Sequence, residues 1–161
     1  MSKNEEMTVS LKFDHFSQSY LLRAIVGSRE VGRLTAVILS EHMVLLGDLR
    51  VDEKVETGDA HVLLSVLRWL RSKEKTKSFR GKGIGSMMLE HFLNWCREAK
   101  ISEVFGSVTQ SDLKVSPWLL DWYRRHGFEV RPPDERCIGN AMHMVVWKNE
   151  GLHSSGGGSE L

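Results

Sequence analysis

The spacing of apolar residues along the chain is strand-like before residue 55 and mostly helical after it. Two β-branched and apolar runs, "YLLRAIVGS" and "EVGRLTAVILS", follow each other at a hairpin-like spacing. A third run, His42–Glu53, is apolar nearly throughout except at Asp48 and Arg50. Continuous apolar runs are typical of central strands that are buried on both faces. The segment from Val9 to Val55 therefore predicts β-strands.

Three later segments repeat apolar residues with the period of an α-helix. The first, Asp59–Lys75, is apolar over most of its circumference. The second opens at Ile84 and has one apolar and one polar face. The third has Ser116 at the N-cap position, Pro117 at the first helical position and Gly127 just past its end.

Short apolar runs after the second helix predict the remaining strands. They are Ser102–Val108, "FEV" and "AMHMVVWK". A strand, a helix over Ile84–Lys100 and a further strand imply at least one parallel pair with a right-handed crossover. The fold class is therefore α/β or α+β with a mixed sheet. Residues 1–150 are expected to form a single domain, and the Gly/Ser-rich residues 151–161 a flexible tail.

Composition narrows the class of protein. The chain has 161 residues, of which 41% are apolar and 27% charged, with a formal net charge of +1. Such a weak overall charge argues against nucleic acid or an anionic membrane as a partner. No secretory signal or membrane-spanning run is visible. Cys96 and Cys137 are isolated, which argues against a disulfide framework and a metal site. A cytoplasmic enzyme or binding domain is expected.

Three alternate glycines, Gly81, Gly83 and Gly85, precede or open the helix that begins at Ile84. Glycine in a helix costs about 1 kcal/mol relative to alanine. The first backbone N–H groups of a helix have no intrahelical partner, and a phosphate can approach them closely where no Cβ intervenes. Arg80 and Lys82 add positive charge at the same place. The segment therefore predicts a phosphate or pyrophosphate site. Its spacing is neither that of the Walker motif nor that of the dinucleotide fingerprint.

The pattern that does fit is [Q/R]xxGxG/A, read from Arg80 to Gly85. Together with "LGDLRV" upstream and "PWLLDWYRRHGFEV" downstream, it resembles the GNAT superfamily of acetyl-CoA-dependent N-acetyltransferases over Val31–Lys148. The resemblance implies a mixed, mostly antiparallel central sheet flanked by helices. In such a sheet a central pair of parallel strands splays apart and admits the pantetheine arm of coenzyme A.

The resemblance also implies roles for particular residues. The backbone N–H groups around Lys82–Ser86 would hold the pyrophosphate, and residues 49–51 would bind the pantetheine amides. Tyr123 falls on the position of the general acid that protonates the departing thiolate. Ser116 stands where the family commonly has Asn. The residues expected to bind the cofactor are Leu49, Arg50, Val51, Arg80, Gly81, Lys82, Gly83, Ile84, Gly85, Ser86 and Ser116.

The distance between the strand and the glycines departs from the family pattern. Family members have only a few residues there, whereas Glu53–Phe79 intervene in this chain. A helical insertion over about 54–79 is therefore expected. Its apolar face could cover the sheet, cover the acceptor pocket or contact a second subunit. The third alternative would make the protein a homodimer.

Deprotonation of an amine acceptor would require a base. Asp48 is the best candidate, because burial within a strand would raise its pKa into a useful range. The alternative is that Asp48 has a structural role, in which it pairs with Arg50 or stabilises a β-bulge. Tyr123 could likewise pack at the edge of the core without a catalytic role.

The sequence thus predicts transfer of an acetyl group from acetyl-CoA to a primary amine by direct attack. The acceptor is a small molecule or a peptide amine, and the sequence does not separate the two. The alternative class is a non-catalytic acyl-CoA-binding module on the same scaffold.

Overall fold

The computed structural model describes residues 9–51, 83–137 and 139–152. Their elements, in chain order, are β1 Val9–Phe16, β2 Ser19–Val26, β3 Arg29–Ile38, β4 Met43–Val51, α1 Ile84–Glu98, β5 Glu103–Thr109, α2 Gln110–Val115, α3 Leu119–Arg125, β6 Glu129–Arg131, β7 Ala141–Lys148 and a 3₁₀ turn at Glu150–Leu152. The expected helix over Asp59–Lys75, the insertion at 54–79 and most of the tail lie outside the described residues. No helix in the described ranges is long and apolar enough to cross a bilayer.

The strands form one seven-stranded sheet in the order β1-β2-β3-β4-β5-β7-β6. Among the described strands, only β4 and β5 pair in parallel, and every other neighbouring pair is antiparallel. In chain order α1 lies between β4 and β5, as the strand–helix–strand pattern predicts. The expected fold class, a mixed and mostly antiparallel sheet with flanking helices, is confirmed.

Helix α1 packs its apolar stripe on one face of the sheet. Met88, Leu89 and Phe92 are fully buried there, and burying a side chain of this size contributes about 1.5–3 kcal/mol. Close approach to β3 depends on Gly32, where a Cβ would lie 2.8 Å from the Met88 Cε and 3.1 Å from the Ile84 Cγ2. The first turn of α1 therefore lies directly on the sheet.

An aromatic cluster anchors the later turns of α1. The Tyr20 ring on β2 is 5.0 Å from the Phe92 ring and 4.8 Å from the Trp95 ring, centroid to centroid. The Tyr20 hydroxyl lies 3.4 Å from His91 Nδ1. Aromatic pairs add about 0.5–1.5 kcal/mol beyond their buried area. This cluster fixes the helix at the end opposite to its glycine-rich start.

A β-bulge interrupts β4 next to β3. The pairing register shifts between Leu34 and Ala36, so that Gly47 and Asp48 both lie opposite Thr35. The Asp48 amide donates to Thr35 Oγ1 at 2.9 Å. A Cβ at Gly47 would lie 2.9 Å from that oxygen, so a side chain there would displace it. The bulge re-aims the last residues of β4.

The parallel pair separates after a short contact. Met43–Leu45 pair with Glu103–Phe105, and beyond them β4 continues beside β3 while β5 continues beside β7. At the point of separation a Cβ on Gly106 would lie 3.4 Å from the Leu46 carbonyl oxygen. The described strands thus diverge as the resemblance implies.

The predicted start of the third helix is wrong. Helix α3 begins at Leu119, its N-cap is Trp118, and no side chain caps it. Ser116 instead terminates the short helix α2, which the sequence reading missed. A capping box between Thr109 and Asp112 nucleates α2, and this local signal outweighs the Ser-Pro pair that follows it.

Candidate functional site

No described side chain caps the positive end of α1. Its N-cap, Gly83, makes no side-chain capping bond, and the turn contains no acidic residue. The Met87 amide makes the first helical bond, to the Gly83 carbonyl at 2.9 Å. Among the described residues, the amides of Ile84 and Gly85 have no hydrogen-bond partner. The geometry suits an external anion. Arg80, Gly81 and Lys82 lie outside the described residues.

Gly85 lies where three elements meet. A Cβ at this position would lie 3.5 Å from Val51 Cγ2, at the end of β4, and 3.8 Å from Trp122 Cζ2, on α3. These are ordinary van der Waals distances. The fold therefore brings together the end of the diverging strand, the first turn of α1 and the helix that carries Tyr123.

Among the described strands, Leu49, Arg50 and Val51 pair with β3 alone. Their partners are Leu34, Arg33 and Gly32, and no residue of β5 pairs with them because β5 has already diverged. Backbone groups on the β5 side of this segment are placed to bind an extended ligand as an added strand would.

A hydrogen-bonded cluster that the sequence reading missed connects α1 to α3. Trp122 Nε1 donates to Ser86 Oγ at 2.9 Å, and His126 Nε2 lies 3.1 Å from the same oxygen. We call these three residues the Ser86 bridge. The available signal was the i, i+4 spacing of Trp122 and His126, which places both on one face of α3.

The Tyr123 side chain is packed between aromatic rings. It is 8% exposed, and its ring lies 5.1 Å from both Trp122 and Phe128. No described residue hydrogen-bonds its hydroxyl. Burial raises the pKa of Tyr123 well above its usual value, and the carboxylates of Asp112 and Asp48 raise it further. The phenol therefore holds its proton at neutral pH.

The expected burial of Asp48 is wrong. Its side chain is exposed, and its carboxylate pairs with Arg50 Nε. Asp48 leaves the pleat because it belongs to the β-bulge opposite Thr35. The geometry is that of the structural alternative, an exposed carboxylate in a β-bulge paired with Arg50, and burial does not favour a base at this position.

His126 gives the site a measurable pH dependence. Burial lowers the pKa of His126, Glu90 opposes this shift and Arg125 adds to it. The unfolded chain therefore binds a proton more readily than the folded one, and stability should fall as pH drops below about 6.5. His126→Gln should remove this component, seen as a flatter fall in the free energy of unfolding between pH 7.5 and 5 in urea titrations. Parallel curves for the two proteins would contradict the assignment.

One class of known proteins is similar to this chain in sequence and in fold. Residues 76–130 match the family model described as the acetyltransferase (GNAT) domain. No curated protein sequence matches the chain. Residues 76–130 are thus similar to the GNAT acetyltransferase domain, in agreement with the sequence resemblance, and the fold is that of GNAT acetyltransferases.

Three solved structures illustrate this similarity. The PaiA N-acetyltransferase of Thermoplasma acidophilum in complex with coenzyme A is 15% identical, with a TM-score of 0.54 over 82% of this chain and 62% of its own. The Campylobacter jejuni N-acetyltransferase PseH is 14% identical, with a TM-score of 0.51 over 83% and 70%. A GNAT acetyltransferase of Elizabethkingia anophelis with acetyl-CoA bound is 11% identical, with a TM-score of 0.55 over 91% and 100%. The chain thus spans less than two thirds of the Thermoplasma enzyme.

Proposed function

We propose that this protein is an N-acetyltransferase that transfers an acetyl group from acetyl-CoA to a primary amine by direct attack. The observation that carries the proposal is the convergence at Gly85. There the uncapped first turn of α1, the diverging end of β4 and the Tyr123 helix meet within van der Waals distance. The family match and the coenzyme-bound structures of similar fold support the same assignment.

The residues present fit acetyl-CoA. The amides of the first turn of α1, from Gly83 to Ser86, would hold the pyrophosphate, with Arg80, Gly81 and Lys82 completing the cradle. Backbone groups of Leu49–Val51 would bind the pantetheine arm in the gap between β4 and β5. When bound, acetyl-CoA supplies the activated thioester.

The chain itself then orients the reactants and moves protons. Holding amine and thioester side by side supplies much of the acceleration, because it replaces a bimolecular encounter. A backbone amide near Val51 would donate a hydrogen bond to the acetyl carbonyl oxygen. Tyr123 would give its hydroxyl proton to the coenzyme A sulfur as the carbon–sulfur bond of the thioester breaks, and its raised pKa keeps the phenol protonated until then.

The attacking amine must lose a proton, and two routes remain. Asp48 is the candidate base. Because its carboxylate is exposed and paired with Arg50, it would accept the proton without being activated by burial. Solvent is the other route, through a chain of water molecules. Ser116 lies between α2 and α3, where it would contact the cofactor.

A non-catalytic acyl-CoA-binding module is the second candidate, because the convergence at Gly85 serves binding whether or not turnover follows. Calorimetry with coenzyme A, ADP and pyrophosphate tests the binding step. We expect coenzyme A to bind more tightly than ADP, since the pantetheine arm adds contacts in the gap. Acetyl-CoA consumption with a panel of small amines and peptides tests the chemistry. Equal affinities for coenzyme A and ADP would contradict the proposed pantetheine site. Binding of coenzyme A without turnover would instead identify the protein as the non-catalytic acyl-CoA-binding module.

A further inference from the structure

Helix α3 depends on contacts with other elements to hold Tyr123 at a fixed distance from α1. It has only seven residues, Leu119–Arg125, and its N-cap makes no side-chain bond. A helix this short is marginal by itself and depends on tertiary contacts. The Ser86 bridge is such a contact, and it starts from the third residue of α1.

We infer that the Ser86 bridge is a positioning device, which sets the place of the Tyr123 hydroxyl relative to the first turn of α1. This inference rests on the proposed function. Trp122 is the residue next to Tyr123, and their rings are 5.1 Å apart. Fixing the indole through Ser86 therefore fixes the ring of the general acid. The bridge acts through Tyr123 and touches no reacting atom.

The donors and acceptors in the bridge are complementary. An indole N–H only donates, so Ser86 Oγ accepts from Trp122. The serine can in turn give its own proton to Nε2 of His126, which its lowered pKa keeps neutral. The ring of His126 also lies 4.9 Å from that of Trp122. The hydrogen bond to Ser86, which His126 holds in place by a second hydrogen bond, and the ring contact with His126 thus define the orientation of the Trp122 indole.

The chain offers a matched control for Trp122. Trp118 lies one turn earlier, with its ring 6.3 Å from that of Trp122. Within the described part of the chain its Nε1 is buried and has no hydrogen-bond partner. Trp122→Phe and Trp118→Phe remove the same group, but only the first removes a bond.

Steady-state kinetics of acetyl transfer tests the inference. Trp122→Phe should lower kcat about 5- to 10-fold, as expected for one lost hydrogen bond of about 1 kcal/mol, and change the KM for acetyl-CoA less than about 2-fold. Trp118→Phe should leave kcat within about 2-fold of wild type. In a Tyr123→Phe background, Trp122→Phe should have no further effect on kcat, because the group it positions is gone.

Two results would overturn the positioning role. One is that Trp122→Phe lowers kcat as much in the Tyr123→Phe background as it does in wild type. The other is that Trp122→Phe and wild type have equal kcat. A wild-type protein that binds coenzyme A without turnover would instead refute the catalytic proposal. The bridge is then tested by fluorine NMR with 3-fluorotyrosine, which gives two resonances because the chain has two tyrosines.

The NMR experiment uses Ser86→Ala, which breaks the bridge and changes no aromatic ring. The Tyr123 resonance should move or broaden, while the Tyr20 resonance, in the cluster at the other end of α1, should not. Tyr20→Phe assigns the two signals. An unchanged Tyr123 resonance would show that Ser86 does not fix the tyrosine.

Discussion

Replacing Tyr123 with phenylalanine should lower kcat for acetyl transfer at least 10-fold and leave coenzyme A affinity nearly unchanged. General acid catalysis contributes about 10²–10⁴-fold where the proton transfer is rate-limiting. The ring keeps its contacts with Trp122 and Phe128, because phenylalanine lacks only the hydroxyl. That hydroxyl has no partner among the described residues, so stability should change little. Steady-state kinetics and calorimetry measure the two effects separately.

The second tyrosine of the chain provides the control. Tyr20 is buried in the aromatic cluster with Phe92 and Trp95, and its hydroxyl contacts His91. Tyr20→Phe should therefore leave kcat unchanged. If Tyr123→Phe matches wild type as well, Tyr123 only packs, and solvent protonates the leaving thiolate.

Gly83→Asp should weaken coenzyme A binding at least ~100-fold without unfolding the protein. Aspartate is a preferred N-cap residue, and negative charge is favourable at a helix N-terminus. The free energy of unfolding should therefore stay the same or rise by up to about 1 kcal/mol. The same carboxylate would occupy the amides of the first turn and repel the pyrophosphate, and like charges about 4 Å apart in partly desolvated surroundings repel by about 4 kcal/mol.

Gly83→Asn separates the charge from the shape of the new side chain. Asparagine caps a helix about as well as aspartate but carries no charge. It should weaken binding less than Gly83→Asp does, and its effect should depend less on salt. If Gly83→Asp binds coenzyme A as wild type does, the diphosphate does not lie at the first turn of α1, and the proposed cofactor site is wrong.

Local patterns were enough to predict the strands and the principal helix. Within the described residues, the apolar runs between Val9 and Val51, the stripe that begins at Ile84 and the run "AMHMVVWK" form the expected elements. Each of these segments is long enough for burial on one or both faces to dominate its conformation. The prediction was wrong at Ser116, where two short helices share a segment and neither is long enough to show a period.

The site was predicted less completely than the fold. Asp48 was expected to be buried because its neighbours in sequence are apolar. A β-bulge breaks the alternation there and turns the carboxylate outward, and Thr35, which stabilises the bulge, is 13 residues away in sequence. The Ser86 bridge joins residues 36 and 40 positions apart. No periodicity within one segment carries that information.

Patterns within single segments predict most of the described strands, helix α1, the mixed sheet and the glycine-rich start of α1, but not the short helix α2. These follow from burial periodicity and backbone freedom, which are properties of contiguous residues. Packing between elements sets which side chains meet at Gly85, how Asp48 is turned outward and what holds Tyr123 beside α1. These contacts arise between segments that are distant in the chain, so strand register, the bulge and helix packing set them together.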